Sequence, residues 1–218
     1  MPTTPTSSVS IATPTATFTP TSTISTGLSG WLDEIKSKTP TETWNLTQPS
    51  SDWTQNANCV FNVDGYHVTA TDQRIPSLCF NTTVDGATMA FQATFQVAQG
   101  DSGGIIWHAA PPYSTNSKQV RIRFGQDGTF DCFVNPGDGS PNSNPIPSGP
   151  SALIHQGRGQ TNILTMIVKA NVVAIFINGQ YQGQGNDTVT DHGAIGVLAA
   201  KYLTDTDVVY TSAQFWAL

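Results

Sequence analysis

The residues best suited to contacting a small ligand lie at the end of one predicted strand and along the next. Trp107 and His108 end the first strand, and Tyr113 follows two prolines shortly afterwards. Arg121 and Arg123 project from the same face of the second strand, because side chains two residues apart share a face. An aromatic surface beside Arg and His donors is typical of a site that stacks on a sugar ring and hydrogen-bonds its hydroxyl groups. We therefore predict that these five residues form a ligand-binding group.

Each part of this group also has a simpler interpretation. Trp107 alternates with Gly103 and Ile105, which fits a position in the protein core. Arg121 and Arg123 would also suit a solvent-facing row with no ligand. The sequence leaves both interpretations open.

Catalytic chemistry has less support. Glycoside hydrolysis requires two carboxyl groups facing each other across the scissile bond. The only glutamates are Glu34 and Glu42, and both precede the main run of predicted strands. An Asp pair is the remaining alternative, although no two Asp residues share one predicted strand face. There is also no Gly-x-Ser-x-Gly elbow, phosphate loop or dinucleotide fingerprint. We therefore predict no catalytic residues.

Metal-binding patterns are weak. The four histidines show no i, i+4 pair, which argues against zinc, and no cysteine spacing indicates a zinc site. Asp101, Asp187 and Asp191 lie in predicted loops and could supply oxygen ligands to calcium. The alternative is ordinary turn formation, in which Asp is common. We predict no metal and no cofactor, with calcium left open.

The composition limits the partners. Charged residues make up 11% of the 218 residues and the net charge is −6, so a basic surface for nucleic acid is not expected. No apolar stretch approaches the ~18 residues of a membrane span, and the first residues do not form a signal peptide. The Thr-, Ser-, Asn- and Gly-rich composition is nevertheless common among exported β proteins. We expect an extracellular or cell-surface location, with an export signal upstream of Met1.

The chain divides into three segments. Thr, Ser and Pro fill 19 of the positions in 1–27, which predicts a disordered stalk. The alternative is a leader without function. Residues 28–52 contain a stretch that could form one or two helical turns. Because so short a helix is marginal alone, we predict an irregular lead-in that packs on the edge of the next segment.

Residues 53–218 read as strands almost throughout. The clearest example is 87–97, where Met89, Phe91 and Phe95 share one face opposite Gln92 and Gln96. Asn-Gly and Asp-Gly pairs mark hairpins, most clearly at 178–179. Strands at this spacing, with no long helical period, predict an all-β fold: a two-sheet antiparallel β-sandwich of jelly-roll type.

Several stretches resemble the concanavalin-like, or laminin-G-like, jelly-roll domains. The resemblance covers about 44–218 and rests on Cys59-Val-Phe, Gly65-Tyr-His-Val, Cys79, Gly103-Gly-Ile-Ile-Trp, Asn162-Ile-Leu-Thr, Phe176-Ile-Asn-Gly-Gln, Asp191-His-Gly-Ala-Ile-Gly-Val and Phe215-Trp216. Such domains occur as C-terminal extracellular modules of bacterial proteins, including membrane-bound Ser/Thr kinases with a Thr/Pro-rich linker. Enzymatic members include laminarinase-like and keto-disaccharide hydrolase-like domains.

The resemblance also bears on the three cysteines. Cys59 and Cys79 flank a predicted hairpin, and the resembling domains keep a cysteine pair there, which implies a disulfide. Such a bridge would close a loop of about 20 residues and contribute roughly 3 kcal/mol. Cys132 alternates with Phe130 and Val134 and is expected in the core. The alternative is three buried, reduced thiols.

The sequence thus predicts a non-catalytic extracytoplasmic ligand-binding module on a flexible stalk. Carbohydrate is the leading ligand class, since the candidate residues combine aromatic rings with hydrogen-bond donors. Two alternatives remain: a glycoside-acting hydrolase of the same fold, and a structural or adhesive surface module. A groove with converging carboxylates would favour the first, and an exposed apolar patch without a groove would favour the second.

Overall fold

The computed structural model describes residues 26–187 and 192–218. Most of the predicted stalk and the candidate calcium ligand Asp191 lie outside these ranges, so both remain predictions. Within the described ranges, no helix combines the length and apolar character needed to cross a membrane.

The described residues form one helix and fourteen strands, and the strands are arranged in two antiparallel sheets. In chain order they are α1 (Thr26–Ser37), β1 (Glu42–Asn45), β2 (Cys59–Asn62), β3 (Gly65–Ala70), β4 (Ser77–Gly86), β5 (Met89–Gln99), β6 (Ser102–Ala109), β7 (Gln119–Gly125), β8 (Thr129–Asn135), β9 (Gly149–Pro150), β10 (Thr161–Lys169), β11 (Val172–Ile177), β12 (Gln180–Asn186), β13 (Gly193–Ala200) and β14 (Thr206–Ala217).

The two sheets face each other as a sandwich. The eight-stranded sheet has the order β12-β11-β10-β5-β14-β3-β2, with β1 pairing the far end of β14. The six-stranded sheet has the order β4-β13-β6-β7-β8-β9. Many neighbours in space are distant in sequence, as expected where strands cross between two sheets. The predicted all-β sandwich is confirmed.

The core lies between the sheets and follows the predicted alternation. Met89, Phe91 and Phe95 of β5 point inward and are buried, whereas Gln92 and Gln96 on the opposite face are only partly covered. The Phe95 ring stacks on Phe124 of the other sheet with ring centroids 4.9 Å apart. Aromatic contacts of this kind add to the burial that holds the two layers together.

A buried tyrosine links the sheets by hydrogen bonds. Tyr210 of β14 reaches across the core, and its hydroxyl lies 2.6 Å from the carbonyl oxygen of Leu198 in β13. The same hydroxyl accepts a hydrogen bond from the Gly104 N–H of β6 at 3.0 Å. A buried hydroxyl is stable only when it is hydrogen-bonded. These two hydrogen bonds therefore hold β14 against β6 and β13 of the other sheet.

The lead-in differs from the prediction. Residues 26–37 form a three-turn helix on the outer face of the eight-stranded sheet, and 42–45 form β1. Leu32 and Ile35 are buried there against Phe176 and Trp216. The prediction of an irregular segment on the sandwich edge was wrong because the helix gains its stability from tertiary packing rather than from propensity.

The predicted disulfide is confirmed. Cys59 and Cys79 are bonded, with Cα atoms 6.0 Å apart. Cys59 belongs to β2 and Cys79 to β4, so the bridge covalently joins the two sheets. Cys132 is a free, buried cysteine, and burial raises the pKa of its thiol.

Candidate functional site

Trp107 is not available to a ligand. Its side chain is fully buried between the sheets, and its indole Nε1–H donates to Asp187 Oδ2 at 3.1 Å. The alternation of Trp107 with Ile105 therefore marks a core position. The prediction of an aromatic platform at Trp107 was wrong because an alternating strand fits an inward and an outward phase equally well.

His108 is also buried. A positive φ of 50° lets it leave the alternation of β6, and the side chain is 2% exposed. Its Nδ1 lies 2.7 Å from Asp187 Oδ2 and its Nε2 lies 3.1 Å from the carbonyl oxygen of Ala87. His108 thus supports the same internal polar cluster as Trp107, and its predicted role as a ligand donor is corrected.

Tyr113 lies on the outer face of the six-stranded sheet. It is not one of the aromatic residues that contact Arg121 and Arg123. It follows a cis Pro111-Pro112 peptide in the loop between β6 and β7. Its ring packs on Phe80 with centroids 5.6 Å apart, against an apolar cluster that includes Ile106 and Leu198. The loop therefore uses Tyr113 as a cover over part of the outer face.

Arg121 and Arg123 do share the outer face of β7. Arg121 is 4% exposed, and its Nη2 donates to the carbonyl oxygen of Thr115 at 2.8 Å. Burial, with a smaller contribution from the positive charge of Arg123, lowers the pKa of Arg121 to about 10, so it stays charged at neutral pH. Arg123 Nε donates to both carboxylate oxygens of Asp131, at 2.8 and 3.0 Å.

Two aromatic residues that the sequence analysis missed complete this group. Phe133 of β8 lies opposite Arg121 in the ladder, and the guanidinium carbons of Arg121 and Arg123 are each 5.2 Å from its ring centroid. The guanidinium carbon of Arg123 is also 4.8 Å from the ring of Tyr202. These are cation–π distances.

A sequence signal existed for one of the two. Cys132 and Val134 were assigned to the core, and the opposite phase of β8 places Asp131, Phe133 and Asn135 outward. No comparable signal existed for Tyr202, which lies 79 positions beyond Arg123 in the loop between β13 and β14.

Two cavities meet at Arg123 on this outer face. The arginine cavity, of about 570 Å³, is lined by Arg74, Arg121, Arg123 and Phe133 together with loop residues. The tyrosine cavity, of about 620 Å³, is lined by Arg123, Asp131, Tyr202 and others. Each volume lies in the usual range for small-molecule sites.

Asp101 holds the loop that carries Tyr202. Its Oδ2 accepts hydrogen bonds from the N–H groups of Tyr202, Leu203 and Thr204 at 2.7, 2.8 and 3.0 Å. Burial acts to raise the pKa of Asp101, but these N–H donors outweigh it and the pKa lies below its usual value. The turn interpretation therefore accounts for Asp101.

The other candidate ligands and carboxylates lie elsewhere. Asp187 is buried beside Trp107 and His108. Among the residues that the structure describes, no group of three or more potential ligands could hold a metal ion. Glu34 lies on α1, where it bonds Lys169 and Lys38, and Glu42 lies on β1. Both glutamates belong to the side of the eight-stranded sheet and not to the two cavities.

No family model matches the chain, and no curated protein matches it. Solved structures do resemble it. A carbohydrate-binding module, CBM66 from Bacillus subtilis, superposes with a TM-score of 0.62 at 12% identity, covering 76% of this chain and 96% of that one. A β-glucanase from Bacillus licheniformis gives 0.57 at 8% identity, covering 81% and 98%. The Ca²⁺-bound exoplasmic/lumenal domain of VIP36 gives 0.57 at 12% identity, covering 80% and 88%.

At these identities the likeness concerns the fold, which hosts both binding proteins and a hydrolase. Two facing antiparallel sheets and nearly complete coverage of all three neighbours show that the chain has a concanavalin-like jelly-roll fold.

Proposed function

We propose that this chain is a non-catalytic carbohydrate-binding module whose binding surface is the arginine cavity together with the tyrosine cavity. The observation that carries the proposal is the sharing of Arg123 by both cavities. Because the cavities meet there, one extended ligand can contact both.

The chemistry of the surface suits sugars. Tyr202 is 42% exposed at the tyrosine cavity and offers a ring for stacking. Arg123 uses its Nε for Asp131, and the terminal amino groups of the same guanidinium are directed to no hydrogen-bond partner among the described residues. These groups and the surrounding amide side chains can donate to hydroxyl oxygens.

The solved neighbours support the ligand class. One is named a carbohydrate-binding module, and the VIP36 domain is also described in a Ca²⁺/Man-bound form. A grooved face also favours ligand binding over the adhesive alternative, which would use an apolar patch without a groove.

The carboxylates of the tyrosine cavity favour binding over hydrolysis. A glycosidase needs a general acid with a raised pKa beside a free carboxylate. Asp101 has a lowered pKa, Asp131 is bound to Arg123, and Asp127 accepts hydrogen bonds from Thr129 at 2.9 and 2.7 Å. Each carboxylate is already engaged in holding the wall of the cavity.

We further place the module outside the cytoplasm. The Cys59–Cys79 bridge fits an oxidising compartment. On this proposal the Thr- and Pro-rich segment 1–27 holds the module away from its point of attachment, which leaves both cavities open to glycans.

A glycan array followed by calorimetry tests the proposal. Replacing the stacking ring with Tyr202→Ala should weaken binding by about tenfold, which corresponds to ~1.4 kcal/mol. Val63→Ala is the control, since Val63 is 99% exposed in the β2–β3 turn of the other sheet. An array without binding would overturn the proposal. Release of new reducing ends, abolished by Asp131→Asn, would favour the hydrolase alternative.

A further inference from the structure

The arginines of this chain are concentrated at one place. Arg74, Arg121 and Arg123 are three of only four arginines in the sequence, and all three line the arginine cavity. None of the described residues lining that cavity is Asp or Glu. The remaining wall is formed mainly by Asn, Thr, Ser and Gly, with the ring of Phe133.

The positive charge of the cavity is only partly balanced. Arg123 is paired with Asp131 at 2.8 Å, on the side of the tyrosine cavity. Arg121 has no carboxylate partner among the described residues, and its Nε, buried at the cavity floor, has no hydrogen-bond partner there either. Arg74 is exposed at the rim, and only its backbone N–H bonds a carboxylate, that of Asp72.

A buried cation without a counter-charge is energetically unfavourable, and a carbonyl oxygen and an aromatic ring balance it only in part. For Arg121 the carbonyl oxygen is that of Thr115 and the aromatic ring is that of Phe133. The cavity is also opposite in sign to the chain, which carries −6 overall. A localised positive region in an acidic protein attracts anionic ligands and steers them to it.

We propose that the ligand is an acidic glycan, with an anionic group of one sugar in the arginine cavity and the adjoining sugar against Tyr202. This inference rests on the proposed function and names the class of carbohydrate. Arg121 supplies charge from the floor, while Arg74 and the terminal amino groups of Arg123 supply direct donors. Carboxylate and sulfate share the required chemistry, since arginine pairs with either.

The test compares charged sugars with neutral forms of the same sugar chain. Calorimetry on the full chain would use galacturonic acid oligomers and the same oligomers as methyl esters, which are neutral. Dextran sulfate against dextran gives the sulfate arm, and a panel of neutral glycans completes the set. We expect the acidic form of one pair to bind at least about tenfold more tightly, with the preference reduced at high salt.

The variants follow from the lining. Arg74→Gln and Arg121→Gln should each reduce binding of the acidic sugar by about tenfold, and by a clearly larger factor than they reduce binding of its neutral counterpart. Arg158→Gln, the exposed fourth arginine outside the cavity, is the matched control and should change neither. If Arg121→Gln does not fold, Arg74→Gln alone tests the inference, because Arg74 is exposed and its replacement should not affect folding.

Four results would overturn the inference. Equal binding of charged and neutral forms would leave the carbohydrate-binding proposal standing and remove the acidic class. Acidic preference unchanged by Arg74→Gln would place the anion elsewhere. Absence of binding to every acidic glycan, with neutral glycans bound, would also refute the acidic class, whereas absence of all binding would refute the proposed function as well.

Discussion

Phe133 lies directly opposite Arg121 in the β7–β8 ladder, with the guanidinium carbon of Arg121 5.2 Å from the centroid of the ring. Arg123 approaches the same ring at the same distance. One aromatic side chain therefore helps to hold two like charges close together at the base of the proposed site. The negative face of the ring offsets part of their repulsion.

This arrangement predicts measurable coupling between Phe133 and Arg121. Phe133→Leu keeps an apolar side chain but removes the π system, so it should destabilise the fold by about 0.5–2 kcal/mol. In an Arg121→Gln background the same change should cost less. Urea unfolding of the two single variants and the double variant gives the coupling free energy. Full additivity would show that the ring only fills space.

Trp107 should matter for stability and not for binding. Trp107→Phe removes the indole N–H that pairs with buried Asp187 and leaves part of the core unfilled, at an expected cost of about 1–3 kcal/mol. Denaturant unfolding measures the cost, and calorimetry should give unchanged glycan affinity for the folded variant. If Trp107→Phe lowered the glycan affinity without changing the unfolding free energy, Trp107 would be part of the binding site after all.

The Cys59–Cys79 bridge should be visible by mass. Intact protein without reductant should lack two hydrogens, and after unfolding only Cys132 should react with an alkylating reagent. Cys59→Ser with Cys79→Ser should lose roughly 3 kcal/mol of unfolding free energy by the chain-entropy argument. Cys132→Ala serves as the control that retains the bridge. Three alkylatable thiols after unfolding without reductant would contradict the structure.

His67 should make stability depend on pH. Burial disfavours its charged form, but the carboxylates of Asp64 and Asp207, at 2.9 and 3.0 Å, outweigh this and raise the pKa of His67. Because the pKa of His67 is higher in the folded state, its ion pairs contribute fully to the unfolding free energy below the unfolded-state pKa of about 6.5. That contribution is lost as the pH rises through the folded-state pKa.

The measurement is the difference in unfolding free energy between wild type and His67→Gln across pH 5–9, a window chosen to bracket about 6.5. That difference should be largest at the acidic end and should shrink as pH rises. His155→Gln is the control, since the His155 ring bonds a backbone carbonyl instead of a carboxylate. A difference that grows with pH would contradict the assigned ion pairs.

Much of the architecture could be predicted from local pattern. The alternation over β5 identified its core face, and Asn178-Gly179 marked a turn in which both residues have positive φ, 51° and 77°. The placement of Arg121 and Arg123 on one face followed from the same period of two. These features depend on neighbours within a few residues, so the sequence carries them directly.

The candidate site needed the tertiary structure. β6 is buried on both faces, so its pattern could not tell whether Trp107 pointed to the core or to a ligand. Tyr202 and Arg74 reach the arginine pair through loops far away in sequence. The helix α1 likewise depends on a sheet surface formed by distant strands.

By itself, the sequence determined the class of fold, the turns and the facing of individual strands, because these follow from backbone period and residue type. Only the tertiary structure decided which face is covered, which aromatic ring stays exposed and where the charges of three arginines converge. Those properties arise from the packing of one layer on another, and no single segment of the chain encodes them.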